Sequence, residues 1–360
     1  MEAYVKYMTK LRDKDIIEKA LEMQTSSFKY FFGVKFARYF RLWLLRLNKE
    51  FQQSFYLNIG IIKFCEFFKN IPIFNRLIKA IIKVLLGVKE IIWNKTLKRI
   101  VRKNEVENAD VLFISFPKCG RTWLRLLIGR SIQLRFNIME GEEILKLGKD
   151  LSELDDKIPF IHVFHEDNPH FKRPDELEVS KEKYKNKKII FMVRDPRDVL
   201  ISNYFQEKKR QRNFNGSLTE FINSEIGSID TILKYYSIWA KNKKIIKDLI
   251  LVKYEDLHKD AGAELKKVLN FIGLDNVSSK HISQAVEYAK FENMRKMEKK
   301  GKFKTPILQA VDKDDKSSYK TRKGEVGDYK NHLTEQQRKR IDQKIEKMLG
   351  KYDWYQTYLN

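Results

Sequence analysis

A five-residue apolar run, Val111-Leu-Phe-Ile-Ser115, leads directly into Phe116-Pro-Lys-Cys-Gly-Arg-Thr-Trp123 and then into the helical pattern Thr122-Trp-Leu-Arg-Leu-Leu-Ile128. No other stretch constrains the fold as tightly. A short β-rich run, a tight turn carrying Lys and Gly, and a helix make the strand–loop–helix layout that cradles a phosphate. The turn aims backbone N–H groups and the positive end of the helix at an anion, and Lys118 and Arg121 add full charges. No Gly-x-x-x-x-Gly-Lys-Ser/Thr run occurs, so the loop is not that of an ordinary ATPase. Alone, a Lys-x-Gly turn also serves as a plain strand-to-helix connection.

Three further segments follow in order. In Ile189-Ile-Phe-Met-Val-Arg194-Asp-Pro-Arg-Asp-Val-Leu-Ile-Ser202, a buried strand ends at Arg194 and Asp195-Pro196 opens a helix. Ser202 lies two helical turns beyond Arg194, so the guanidinium and the hydroxyl can converge on one anion. In Leu249-Ile-Leu-Val-Lys-Tyr254-Glu-Asp-Leu257, another strand ends in a polar cluster. In Arg322-Lys-Gly324-Glu-Val-Gly327-Asp-Tyr-Lys-Asn331, two adjacent cations stand beside a glycine that lets the backbone approach a phosphate.

Together the four segments resemble the sulfotransferases that use 3′-phosphoadenosine 5′-phosphosulfate (PAPS), over roughly residues 108–350. The resemblance implies an α/β fold, a P-loop-like parallel sheet flanked by helices, with PAPS as co-substrate and no metal. It implies that Lys118 contacts the bridging oxygen of the leaving phosphosulfate. Gly120, Arg121, Thr122 and Trp123 match the loop around the 5′-phosphate, with Trp123 also stacking on adenine. Cys119 belongs to that loop and is read as a small packing residue rather than a nucleophile. Arg194, Ser202, Arg322, Lys323 and Gly324 match the residues that hold the 3′-phosphate. Tyr254 and Phe291, the latter in Phe291-Glu-Asn-Met294, match aromatic contacts to the base.

The catalytic base is sought in Ile158-Pro-Phe-Ile-His162-Val-Phe-His165-Glu-Asp-Asn-Pro169. Neutral histidine is the side chain best poised to take a proton near neutral pH. The family places its histidine at the end of a short strand, shortly before a proline, and His165 fits. On a strand, Val163 and His165 share one face while His162 and Phe164 share the other, so His162 is read as structural. His170, His258, His281 and His332 have no comparable setting. Two departures stand out. Many relatives carry a lysine where this chain has Val163, and many have threonine where it has Arg121; Arg121 is expected to supply the missing positive charge.

The formal charge of +24 favours anionic partners, and PAPS is only one small anion. Two cysteines, Cys65 and Cys119, form no disulfide framework and suit a reducing, cytoplasmic compartment. Residues 1–105 read as a basic amphipathic helical extension to a sulfotransferase domain over 106–360. Residues 51–103 hold 11 Lys and Arg against 2 Asp and Glu, a net of +9. Within them Arg76, Lys79 and Lys83 share one helical face and Ile81, Leu85, Val88 and Ile92 another. Such a helix packs on the catalytic domain or lies peripherally on an anionic membrane through residues 71–99; no uncharged stretch is long enough to span one. Helices are expected at about 230–247, 259–272, 278–293 and 334–348, and the Lys- and Asp-rich stretch Met297–Tyr319 as a flexible lid or disordered loop. Two functions from different classes follow: transfer of a sulfuryl group to a hydroxyl or amine on a small-molecule, lipid or glycan acceptor, or non-catalytic binding of a membrane or polyanion on a degenerate scaffold. Nucleic acid is not an expected partner.

Overall fold

The computed structural model describes residues 104–141 and 143–358. The expected amphipathic extension, including residues 71–99, lies outside the described residues up to residue 103. Among the described residues four strands form one sheet: β1 (Val111–Ser115), β2 (Ile161–Phe164), β3 (Lys188–Val193) and β4 (Asp248–Lys253), in the order β2-β1-β3-β4. Every pairing is parallel, with Val111 opposite Ile161 on one side and Lys188 on the other. The two central strands are covered on both faces, which is why β1 and β3 are apolar nearly throughout, without alternation. The edge strands β2 and β4 are partly exposed and carry His162, Asp248 and Lys253.

Because all strands run the same way, their carboxyl ends share one edge of the sheet. The residues that follow them are the Phe116–Gly120 loop, His165, Arg194 and Tyr254. The chain steps outward from β1 to β2 and then crosses back to β3, so the crevice beyond β1 and β3 is the topological switch point where ligands of such sheets bind.

The longer helices are α1 (Arg121–Arg135), α2 (Pro196–Phe205), α3 (Ile229–Asn242), α4 (Ala261–Phe271), α5 (Ser279–Tyr288), α6 (Phe291–Lys300) and α7 (Glu335–Leu349). Asp195 caps α2 by accepting from the Arg197 N–H, with Pro196 in the first turn, where its missing N–H costs nothing. Asp260 caps α4, Ser278 caps α5, and Thr334 with Gln337 forms a capping box at α7. Buried Tyr235, Tyr236 and Trp239 on α3 cover β3, where Trp239 stacks on Phe191 at 4.8 Å. Among the described residues no helix is long and apolar enough to cross a membrane.

Three expectations change. The helix expected over 230–247 stops at Asn242, because the chain must turn before entering β4 at Asp248. The helix expected over 278–293 is two helices: Lys290, with ψ 147°, breaks the ladder and starts α6 in a new direction. The stretch Met297–Tyr319 is not a disordered loop. It opens with the last turn of α6, then sinks Phe303, Leu308 and Tyr319 into the protein. Arg210 ties it down further by donating to the carbonyls of Pro306, Gln309 and Ser318.

Candidate active site

The loop after β1 folds as it does because two of its residues take left-handed backbone, Lys118 at φ 71° and Gly120 at φ 91°. At Gly120 this is more than freedom of rotation: a Cβ there would lie 2.4 Å from Tyr254 Cδ2, so only glycine lets the Tyr254 ring rest against the loop. The first N–H groups of α1 have no partner within the helix and add positive character where Arg121, Thr122 and Trp123 begin it. Lys118 Nζ donates to Gln206 Oε1 at 2.9 Å. Burial, then the neighbouring charges of Lys320 and Arg210, holds its ammonium well below the usual lysine pKa. The Cys119 side chain faces away from this ground. It is fully buried, 3.2 Å from Tyr236 Oη, and burial pushes its thiol pKa up to about 12. Only its backbone is left for a ligand.

Arg194 follows β3. Tyr236 Oη accepts from its N–H and donates to its carbonyl, at 3.1 and 2.9 Å, which fixes the backbone. The guanidinium lies over the Tyr254 ring at 4.3 Å and donates through Nη2 to the Glu325 carbonyl at 2.7 Å, with Asp198 3.5 Å away. Its Nε is buried without a partner. Arg322 and Lys323 are both drawn to Asp328, at 2.7 and 2.8 Å, and His332 joins them at 3.1 Å. Burial raises the Asp328 pKa, but hydrogen bonds from Lys323, Arg322 and Asn331 and the Arg322 charge outweigh it and hold the carboxyl well below its usual range. Asp198 accepts from the Gly327 and Tyr329 N–H groups, pinning this loop to α2. Gly324 repeats the logic of Gly120: at φ 70°, an added Cβ would meet Phe291 Cδ2 at 2.4 Å.

His165 lies one residue past β2. Nδ1 is 2.9 Å from the Ser115 carbonyl and Nε2 is 2.7 Å from Arg121 Nη2. A carbonyl can only accept and a guanidinium can only donate, so Nδ1 carries the proton and Nε2 presents its lone pair. Burial, and next the Arg121 charge, lowers the pKa well below 6.5, so the ring is neutral at neutral pH. Arg121, expected beside the leaving group, is engaged with this histidine. His162 points to the other face of the strand, 4.7 Å ring-to-ring from Phe164 and 3.6 Å from a Glu105 oxygen.

One cavity is lined by Lys118, Gly120, Arg121, Thr122, Trp123, His165, Arg194, Ser202, Tyr254, Phe291, Arg322, Lys323 and Gly324. Of the residues expected at the site, only Cys119 is absent from that lining. The sequence reading missed others. His258 lines the cavity and packs edge-on against Trp123 at 5.0 Å and Tyr254 at 4.6 Å. The His170 ring lies 5.6 Å from that of His165, its pKa lowered to about 4 by burial and then by Arg121. Both correct the view that these histidines have no special setting. Lys320 also lines the cavity, with its pKa brought down to about 8 by burial, Arg210 and Arg121. Buried Glu298 pairs with Arg210 at 3.2 Å and accepts from the Lys320 and Thr321 N–H groups at 2.7 and 2.9 Å. The only signal for Lys320 in the sequence was its place two residues before Arg322.

Comparison with known proteins places the chain in a family. The sulfotransferase domain model matches residues 108–353. The rabbit (Oryctolagus cuniculus) amine sulfotransferase is 25% identical over 278 residues, covering 72% of this chain and 89% of the relative. Cytosolic sulfotransferase 1 of Arabidopsis thaliana is 27% identical over 285 residues, covering 71% and 84%. Among solved structures, a mouse sulfotransferase complexed with PAP superposes with a TM-score of 0.50 at 20% identity, covering 69% of this chain and 88% of the other, a likeness of fold. With the domain model matched across the sheet and all four site segments, the chain belongs to the sulfotransferase family.

Proposed function

We propose that the protein transfers the sulfuryl group of PAPS to a hydroxyl or amine acceptor, with His165 as general base. The observation that carries this reading is the convergence of Lys118, His165, Arg194, Ser202, Arg322 and Lys323 on one cavity. The residues fit a nucleotide with two phosphate positions. The unpartnered Arg194 Nε is a buried donor suited to an anion, and the Gly120 and Gly324 cradles set Tyr254 and Phe291 where a base can pack. Lys118 has to leave Gln206 to reach the oxygen bridging phosphorus and sulfur, where negative charge grows. An acceptor hydroxyl that displaces Arg121 from His165 Nε2 gives its proton to that lone pair. Its oxygen then bonds to sulfur as the sulfur–oxygen bond to the 5′-phosphate breaks, and the released pair stays on the phosphate. The Nδ1–H bond to Ser115 keeps the required tautomer.

The non-catalytic alternative has less support, since a site kept only for anion binding has no use for a neutral histidine in the cavity that Lys118 lines. The net charge of +9 over residues 51–103 supports a peripheral place on an anionic membrane and, with it, a lipid-borne or membrane-proximal acceptor. The test is transfer from sulfur-labelled PAPS into an acceptor mixture. His165→Ala is expected to lower the single-turnover rate by about 10²–10⁴ while leaving PAPS affinity in place, and His162→Ala is not. A dead His162→Ala beside an active His165→Ala would overturn the assignment of the base.

A further inference from the structure

The Lys320 ammonium borders the same cavity as Lys118, Arg121 and His165. The charges that act most strongly on it are mostly of its own sign, Arg210, Arg121 and Arg125 beside Glu298. Glu298 is already committed: its two oxygens accept from Arg210, from the Lys320 and Thr321 N–H groups and from the Thr321 hydroxyl. Those contacts fix the backbone that carries Lys320 without pairing its ammonium, and among the described residues the ammonium makes no ion pair. A cation held among cations at a cavity wall is costly unless an anion completes the cluster.

The position says which anion. The field of Lys320 falls on both Lys118 and His165, lowering the pKa of each. On the proposed function, on which this step rests, Lys118 stands at the bond that breaks and His165 at the acceptor atom that bonds to sulfur. The negatively charged group between those points is the sulfuryl group. Arg194, Arg322 and Lys323 are grouped around Asp198 and Asp328 instead. We infer that Lys320 is a catalytic residue that holds the sulfuryl oxygens of PAPS while the group passes from the 5′-phosphate to the acceptor. It moves no proton: the acceptor proton goes to His165, and the electron pair of the broken bond stays on the phosphate. Its pKa of about 8 leaves it mostly protonated at neutral pH, as that role requires.

The test uses the full chain and two nucleotides that differ only in the sulfuryl group, PAPS and 3′-phosphoadenosine 5′-phosphate (PAP), titrated calorimetrically without acceptor. Lys320→Met is expected to lose about tenfold or more in PAPS affinity and less than about threefold in PAP affinity. Lys320→Arg is expected to keep most of the PAPS preference. Should Lys320→Met fail to fold, as read by thermal melting, Lys320→Gln carries the same comparison. With an acceptor, single-turnover transfer by the Met or Gln variant is expected to fall by about 10²–10³. Equal losses for both nucleotides would place Lys320 on a shared phosphate, and no loss for either, with a raised KM for the acceptor, would place it on an acidic acceptor; each overturns the proposal. If the unaltered protein binds neither nucleotide, it is the proposed function that falls.

Discussion

Replacing Gly120 by alanine puts a methyl group 2.4 Å from Tyr254 Cδ2 and 2.7 Å from Cε2, on a residue whose φ is 91°. The backbone term alone costs about 1–2 kcal/mol, because a Cβ is poorly tolerated in left-handed backbone. Relief of the clash requires the ring to move about 1 Å to ordinary contact, and overpacking of a buried site typically adds about 1–3 kcal/mol. Tyr254 has little room to give: it is buried between Trp123, His258 and the Arg194 guanidinium. The sum, about 2–5 kcal/mol, corresponds to a fall in Tm of roughly 4–20 °C for a domain of this size. Since Arg194 rides on the ring that moves, PAP affinity is expected to drop by about tenfold or more as well. Denaturant unfolding and calorimetry read the two effects. The discriminating variant is Gly120→Ala combined with Tyr254→Ala, where the clash with the ring is gone and the backbone term and the 3.0 Å approach to the flexible Met192 Cε remain. The double variant should be more stable than the sum of the two singles by about 1–3 kcal/mol. Strict additivity, or a Gly120→Ala protein that melts and binds PAP as the original does, would refute the cradle argument.

Three other outcomes are expected. The acid limb of the pH–rate profile should lie below pH 6.5, since His165, the proposed base, has a lowered pKa and is lost as a base on protonation; kcat/KM for PAPS should decline on the alkaline side near pH 8 as Lys320 loses its proton, and Lys320→Arg should move that limb upward, whereas an unmoved limb would assign it to Lys118. Cys119, buried with its thiol pKa pushed up to about 12, should resist alkylation at pH 8 in the native state and react on unfolding, which mass spectrometry of labelled peptides would show. If residues 71–99 meet a membrane, binding to anionic vesicles should fade with added salt and weaken by about 1 kcal/mol for each of Lys79→Gln, Lys83→Gln and Lys89→Gln; salt-insensitive or unaltered binding in a flotation assay would exclude that segment.

What the sequence revealed follows from how parallel sheets write themselves into a chain. Each strand buried on both faces is a short apolar run, and each ligand-facing residue comes just after its end. Lys118, Arg194 and Tyr254 could therefore be found by looking where apolar runs stop. The alternation of side chains along β2 was enough to separate His162 from His165. Gly324 was legible as a glycine beside two cations, but the ring that requires it, Phe291, stands 33 positions earlier, and no local pattern links them. The Arg210–Glu298 pair, 88 residues apart, was invisible for the same reason, and with it the anchoring of the Lys- and Asp-rich segment that looked too polar to fold. Lys320, the residue just after that segment, hid as one more lysine beside many, because what distinguishes it is that among the described residues no carboxylate pairs with its ammonium. The break at Lys290 had no proline or glycine to announce it; the turn is made where Phe291 must swing toward Gly324.

On the proposed function this cavity binds a nucleotide carrying a 3′-phosphate. Calorimetric titration of the full chain with PAP and with AMP, which differ only in that phosphate, tests it most directly. On the proposed function Arg194, Ser202, Arg322 and Lys323, which line the cavity, would each supply a charge-assisted contact worth about 1.5–3 kcal/mol, so PAP is predicted to bind at least about tenfold more tightly. Substituting Arg194→Ala should erase most of that preference. Equal affinities for the two nucleotides in the unaltered protein would contradict the account.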